Sequence, residues 1–392
     1  MLHSWGGLIA RATALLAQTR SSDSAYIRNT QDAVRSLQGW YNTSTGLWAT
    51  TGWWNSANCL TVLADWALLD TSGAASLNIT TVMSNTFTKA QQTPAKVEKR
   101  LSSDGLILTY DYTPVHQLQT RGFSGFINEF YDDEGWWALG WIHSWDLTHE
   151  PRYLDMAESI FEDMHNGTDD VCGGGIWWSK ERKYKNAIAN ELYLSVAASL
   201  SNRVPARKAQ YVDLAKRSWA WFKSSGMINK QNLINDGLTI NANGTCVNNG
   251  FNTWSYNQGV VLGGLVELAH ATGDKSYLDE ATAIAKAAIT LLSDKKTGIL
   301  VESGGCEPNC GGDGSQFKGI FVRNLRYLQA VAPQDEFRSV ILANADSIWA
   351  NSRDDANRLG VSWAGPVSAG GGPNASTHSS AMDVLVAAVA VV

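Results

Sequence analysis

The chain has 392 residues, of which 44% are hydrophobic and only 17% charged, with a formal net charge of −6. That is enough apolar material for a large core, and an acidic balance excludes a nucleic-acid partner, which would need a basic face. The 17 tryptophans point to a large aromatic core, a sugar-stacking cleft, or both, and no run of 18 apolar residues exists that could carry a helix across a membrane.

In chain order, residues 1–20 read as a signal peptide with an apolar centre interrupted by Arg11, or as an N-terminal extension. Residues 21–392 read as one domain. Its helical patterns are of two kinds. Outer helices near 22–42, 78–91, 151–165, 207–224, 275–293 and 334–351 carry an apolar stripe at three-four spacing, as in Ala33, Val34 and Leu37 or Ala281, Ile284, Ala285 and Ala288. Inner partners near 53–70, 132–148, 186–201, 254–271, 316–331 and 377–391 are apolar nearly all round and must be buried on every side. A short signature recurs on the outer helices: Tyr153-Leu-Asp155, Tyr211-Val-Asp213 and Tyr277-Leu-Asp279. Six such hairpins with irregular spacing fit a closed ring better than an open solenoid. The expected fold is therefore all-α, an (α/α)6 barrel. Residues 92–131 form one long connection, and "LSSDGLILTYDYTP" within it reads as a short β-hairpin.

Of five cysteines, Cys306 and Cys310 are close enough to pair, Cys172 and Cys246 could pair, and Cys59 reads as a buried free thiol. Disulfides outrank zinc, because no CxxC pair or His cluster accompanies them. No metal and no cofactor are expected. Five sequons, at Asn42, Asn78, Asn166, Asn243 and Asn374, lean towards a secreted, extracellular or cell-wall glycoprotein. The apolar tail "VLVAAVAVV" reads as the sixth inner helix and not as a lipid-anchor signal. A monomer is expected.

In a ring of hairpins the inner helices all point the same way, so their N-termini meet at one end. The residues there are Trp54 and Asn55; Asp132 and Asp133; Trp177, Trp178 and Asn186; Trp254, Tyr256 and Gln258; Gln316 to Lys318; and Thr377 with His378. Aromatic faces, amides and carboxylates gathered in a concave floor suit a sugar. Asp132 and Asp133 open the second inner helix, where the helix dipole favours negative charge. One carboxyl can stay ionised while burial and its neighbour's charge raise the pKa of the other, and such a split assigns nucleophile and acid in glycosidases. Neighbouring residues hold their carboxyls close, which suits a retaining double displacement. A bare "DDE" also reads as a helix cap with an acidic first turn. Trp177 and Trp178 follow three glycines and read either as a sugar platform or as the core of a loop. His143 and the stripe of Trp137, Trp141 and Trp145 read as core.

"NEFYDDEGWWALGWI" (128–142), "CGGGIWWS" (172–179), "YKNAIANELYLSVAASL" (184–200) and "WSYNQGVVLGGL" (254–265) stand in an order that resembles glycoside hydrolase family 76, the α-1,6-mannanases, over roughly residues 25–390. The resemblance implies an (α/α)6 barrel and a retaining endo-α-1,6-mannosidase acting on fungal or yeast cell-wall mannan. It implies Asp132 as nucleophile, Asp133 as general acid/base, and Asp236 of "LINDG" as a substrate contact. A transglycosidase acting on mannose-containing anchor glycans and an inactive mannan-binding relative are the alternatives. Glu134 has no assigned role.

Overall fold

A computed structural model describes residues 25–92, 97–101, 107–111 and 125–392; the signal-like segment at 1–20 lies outside them. The outer helices are α1 (Ala25–Gln38), α4 (Ile79–Ala90), α6 (Pro151–Asn166), α8 (Lys208–Ser224), α10 (Ser276–Leu292) and α12 (Asp335–Asn351). The inner helices are α2 (Trp53–Leu69), α5 (Tyr131–Thr148), α7 (Ala187–Arg203), α9 (Ser255–Thr272), α11 (Gly311–Val331) and α13 (Ala375–Val391), with a one-turn helix α3 (Thr71–Ser76) after α2.

The ring closes. Helix α2 packs on α5, α5 on α7, α7 on α9, α9 on α11, α11 on α13, and α13 back on α2. The protein is thus the expected (α/α)6 barrel. Patterning explains the two layers: α10 buries Ala281, Ile284, Ala285, Ala288, Ile289 and Leu292 on one stripe, whereas α7 buries every residue from Ala187 to Ser201. Glycines let the inner helices approach closely. A Cβ on Gly259 of α9 would stand 2.6 Å from the Phe321 backbone of α11, and one on Gly319 of α11 would run into the Ser380 backbone of α13.

The expected β-hairpin in the long connection is present, and two further short ladders accompany it. Among the described residues three two-stranded antiparallel ladders occur: β1 (Tyr41–Asn42) with β2 (Leu47–Trp48), β3 (Val97–Leu101) with β4 (Ile107–Asp111), and β5 (Leu238–Ile240) with β6 (Cys246–Asn248). The first and third are too short to show an alternating pattern. They are closed instead by turn glycines with positive φ, Gly46 and Gly244. The anticipated hairpin is β3–β4, with Leu101 opposite Ile107, and β4 packs on α11. The "GGDG" stretch at 311–314, which reads as a turn, is the first turn of α11.

Both cysteine pairings form, Cys172–Cys246 and Cys306–Cys310, and Cys59 is a buried free thiol. His143 is satisfied by Asp65 at 2.9 Å, as a core histidine should be, yet it also faces a cavity of about 990 Å³ at the C-terminal end of the inner helices. Ion pairs from Arg203 to Asp146 and Glu267, and from Arg326 to Asp65, line that end. Among the described residues no helix is long and apolar enough to cross a membrane.

Candidate active site

Helix α5 begins after Phe130, whose extended backbone supplies no side-chain cap. The three acids that follow therefore do not cap the helix. They splay by about 100° per residue and find three different environments. Glu134 is fully buried; its Oε1 accepts from the Asn128 backbone N–H at 3.2 Å and from Lys180 Nζ at 2.9 Å, which ties the approach to α5 to the loop after Trp178. Its role is architectural. Asp133, also fully buried, accepts from Asn128 Nδ2 at 2.7 Å on Oδ2 and from Lys99 Nζ on Oδ1. Asp132 Oδ2 accepts from Trp178 Nε1 and from Lys99 Nζ, both at 3.2 Å, while its Oδ1 has no partner among the described residues.

Lys99 thus stands between the two carboxylates, its side chain 3% exposed and its ammonium 5.0 Å from the centre of the Phe130 ring. Burial, joined by the charge on Asp132, raises the Asp133 carboxyl to about 7 against Lys99 and Asn128, which hold it down. Burial works against a charged Lys99, but Asp132, Asp133 and Asp313 together hold its pKa above the ordinary lysine value. A lone buried charge costs several kcal/mol, so one ammonium shared by two carboxyls is what makes a dry pair of aspartates tenable here.

Aromatic rings wall the mouth. Trp54 stacks on Trp136 at 5.5 Å and donates its Nε1–H to Asp313 Oδ1 at 2.7 Å. Tyr256 lies on Phe317 at 3.8 Å, and Trp178 packs on Phe130 at 5.0 Å. The mouth thereby draws on the first turns of α2, α5, α9 and α11. Asp236, in the loop before β5, is fully buried; its Oδ2 accepts from the Tyr184 hydroxyl at 2.5 Å, and its Oδ1 makes no hydrogen bond of ordinary length among the described residues, although the Asn257 side chain lies near enough to help hold the carboxyl down. Burial raises its pKa to about 7 against the lowering by Tyr184, with Asp132 adding to the rise.

The remaining sequence-derived candidates divide. The structure brings Asp132, Asp133, Asp236, Trp54, Trp178 and Tyr256 together. Asn55 and Asn186 keep Nδ2 atoms that are buried and unpartnered among the described residues, although Asn186 Oδ1 caps α7 through Ala189 N. Gln258 is spent on architecture, since it bonds both the N–H and the carbonyl of Ile234. Trp254 is buried at the foot of α9, 5.8 Å from Phe317. Trp177 is turned away: its indole donates to Asp169 Oδ2 at 2.6 Å and packs against Lys185, which bonds the carbonyls of Val171, Gly174 and Gly175. His378 is also architectural, held between Ala33 O and the Leu359 N–H. Sequence reasoning missed Lys99, Asn128 and Asp313. Only Asn128 carried a signal, as the first residue of "NEFYDDEGWW".

A six-hairpin toroid that joins stacked tryptophans to paired buried carboxylates at the N-terminal end of its inner helices is an (α/α)6 barrel with an aromatic, acidic candidate site. Residues 50–391 match the profile of glycosyl hydrolase family 76, and the chain belongs to that family. It is 27% identical over 272 residues to the mannan endo-1,6-alpha-mannosidase DCW1 of Saccharomyces cerevisiae; the match takes in 64% of this chain and 57% of the yeast protein, so it spans little more than half of that relative. The fold superposes on an inactive variant of the alpha-1,6-mannanase of Salegentibacter sp., substituted at two consecutive aspartates and bound to alpha-1,6-mannotriose (TM-score 0.72, 21% identity, 93% of this chain and 99% of that one). It also superposes on Dfg5 from Chaetomium thermophilum in complex with glucosamine (TM-score 0.73, 17% identity, 95% and 92%).

Proposed function

We propose that the protein is a retaining, endo-acting glycosidase that cleaves α-1,6-mannosidic linkages of cell-wall mannan. The observation that carries this reading is the Asp132–Asp133 pair in the first turn of α5, buried at an aromatic mouth, with one oxygen of Asp132 unpartnered among the described residues and a raised pKa on Asp133. The names of the yeast and Salegentibacter relatives support the linkage, and the inactivity of the latter's doubly substituted variant supports an essential adjacent pair.

In the first step Asp132 Oδ1 attacks the anomeric carbon, the bond to the leaving sugar breaks, and Asp133 gives its proton to the departing oxygen. Water then attacks the same carbon, Asp133 takes its proton, and Asp132 is released. Two inversions give net retention. Asn128 occupies one oxygen of Asp133 and Lys99 the other, so proton donation requires Lys99 to give up Oδ1. Asp236 and the free amides of Asn55 and Asn186 would bind hydroxyls, and Trp54, Tyr256 and Trp178 the apolar faces of the rings. Disulfides and sequons support an extracellular or cell-wall location.

The test is linear α-1,6-mannan followed by proton NMR. The α-anomer should appear first; an early β-anomer would overturn Asp132 as nucleophile. Asp132→Ala and Asp133→Ala should each abolish cleavage while leaving the fold intact.

A further inference from the structure

A fourth carboxyl lies beneath the mouth and has no role in the mechanism above. Glu191 sits on α7 one turn below Ala187, whose N–H donates to the Asp236 carbonyl at 2.7 Å. It is fully buried, and neither oxygen meets a hydrogen-bond donor or a cation among the described residues. Its direction follows from the helix. Tyr193 points outward, where it bonds His165 and packs on Phe161 of α6. Two residues back along an α-helix is a turn of about 200°, so Glu191 points inward along the barrel axis. Ser199, eight residues on and about 80° further round the helix, lines the cavity at the far end. Asp236 and Tyr256 lie within electrostatic reach of Glu191.

Several buried carboxylates here have a cation, as Asp65, Asp133 and Asp383 do, and Asp236 and Glu302 accept hydrogen bonds instead. One with neither a cation nor a hydrogen-bond donor keeps its proton. Burial and the nearby Asp236 push Glu191 well above the ordinary glutamate value, which agrees. A neutral carboxyl is a donor, and Asp236 Oδ1, which makes no hydrogen bond of ordinary length among the described residues and has the Asn257 side chain nearby, is an acceptor. A hydroxyl, which both gives and takes one hydrogen bond, completes the two together.

We infer that Glu191 is a specificity-determining residue of the sugar site, holding one substrate hydroxyl between its own O–H and Asp236. The inference rests on the mannan reading for the identity of the sugar. It predicts that an amide, which can also donate, replaces the carboxyl, and that an apolar side chain does not.

The experiment compares wild-type protein, Glu191→Gln and Glu191→Leu. On α-1,6-mannan, Glu191→Gln should keep KM within about threefold, and Glu191→Leu should raise KM about tenfold with kcat changed much less, as expected for loss of binding common to ground and transition states. The infrared difference between wild type and Glu191→Gln at pH 6 should contain a protonated carboxyl stretch that moves on addition of α-1,6-mannotriose. Equal KM values for all three proteins, an amide variant as impaired as the leucine variant, or the lack of that band would each overturn the role. A wild-type protein that shows the band but neither cleaves mannan nor responds to mannotriose overturns the mannan reading, and the sugar assignment of Glu191 with it. Cleavage with an unmoved band overturns Glu191 alone.

Discussion

Lys99 and Asp133 are bonded across 34 residues of chain, and the same ammonium lies 3.2 Å from Asp132. The β3–β4 hairpin therefore sets the electrostatics of a pair that resides on α5. Removing the cation leaves Asp133 with burial and the Asp132 charge, both of which raise its pKa above about 7. If Asp133 must be protonated for the first step, activity falls as pH rises through that value. Lys99→Met should shift the alkaline limb of kcat/KM to higher pH, read from pH–rate profiles on mannan; a limb that stays in place would show that Lys99 does not tune the pair.

Trp178 donates its indole N–H to Asp132 Oδ2. Trp178→Phe keeps an aromatic ring and removes this donor. A hydrogen bond to a charged group contributes about 1.5–3 kcal/mol, which corresponds to a fall in kcat of about tenfold to a hundredfold if the bond orients the nucleophile. Unchanged kcat would reduce Trp178 to a packing residue.

Asp133, Asp236 and Glu302 are all raised to about 7 by burial. Unfolded carboxyls titrate near 4, so between these values the native chain holds more protons than the unfolded one, and stability falls as pH rises through that window. His378, lowered to about 4 by burial, acts in the opposite sense below about pH 6.5. The clean range is thus pH 6.5 to 8, where Tm should drop by roughly a few degrees. Asp236→Asn should flatten the slope; a calorimetric profile as steep as that of the wild type would contradict the assignment.

The Cys172–Cys246 bridge closes 74 residues and ties the glycine loop before Trp178 to β6. Replacing both cysteines with serine should destabilise the fold by roughly 2–4 kcal/mol. Urea unfolding measures this directly.

The helices were legible because burial leaves a period: apolar on one face outside, apolar all round inside. The aspartate pair was legible because it is local, with both members adjacent in "NEFYDDEGWW". Lys99 was not, since its partners lie more than 30 residues on and nothing near it in sequence signals them. Trp177 and Trp178 look equivalent in "GIWWS", yet the chain turns one to Asp169 and the other to Asp132. Pattern shows that a side chain is buried; only the path of the backbone shows against what. His378 and Gln258 show the same limit, as polar residues at the mouth that serve loops.

Asp132 and Asp133 occupy consecutive positions in a single helical turn. Enzymes that recruit two acids from different strands or loops depend on tertiary packing to keep them in register. Here covalent geometry does so, and thermal breathing of the barrel moves both acids together. Loosening the ring should therefore degrade substrate binding, which draws on several helices, before it disturbs the spacing of the two acids. Mutational drift in the shell can then change what surrounds the pair while the spacing of its two carboxyls travels intact.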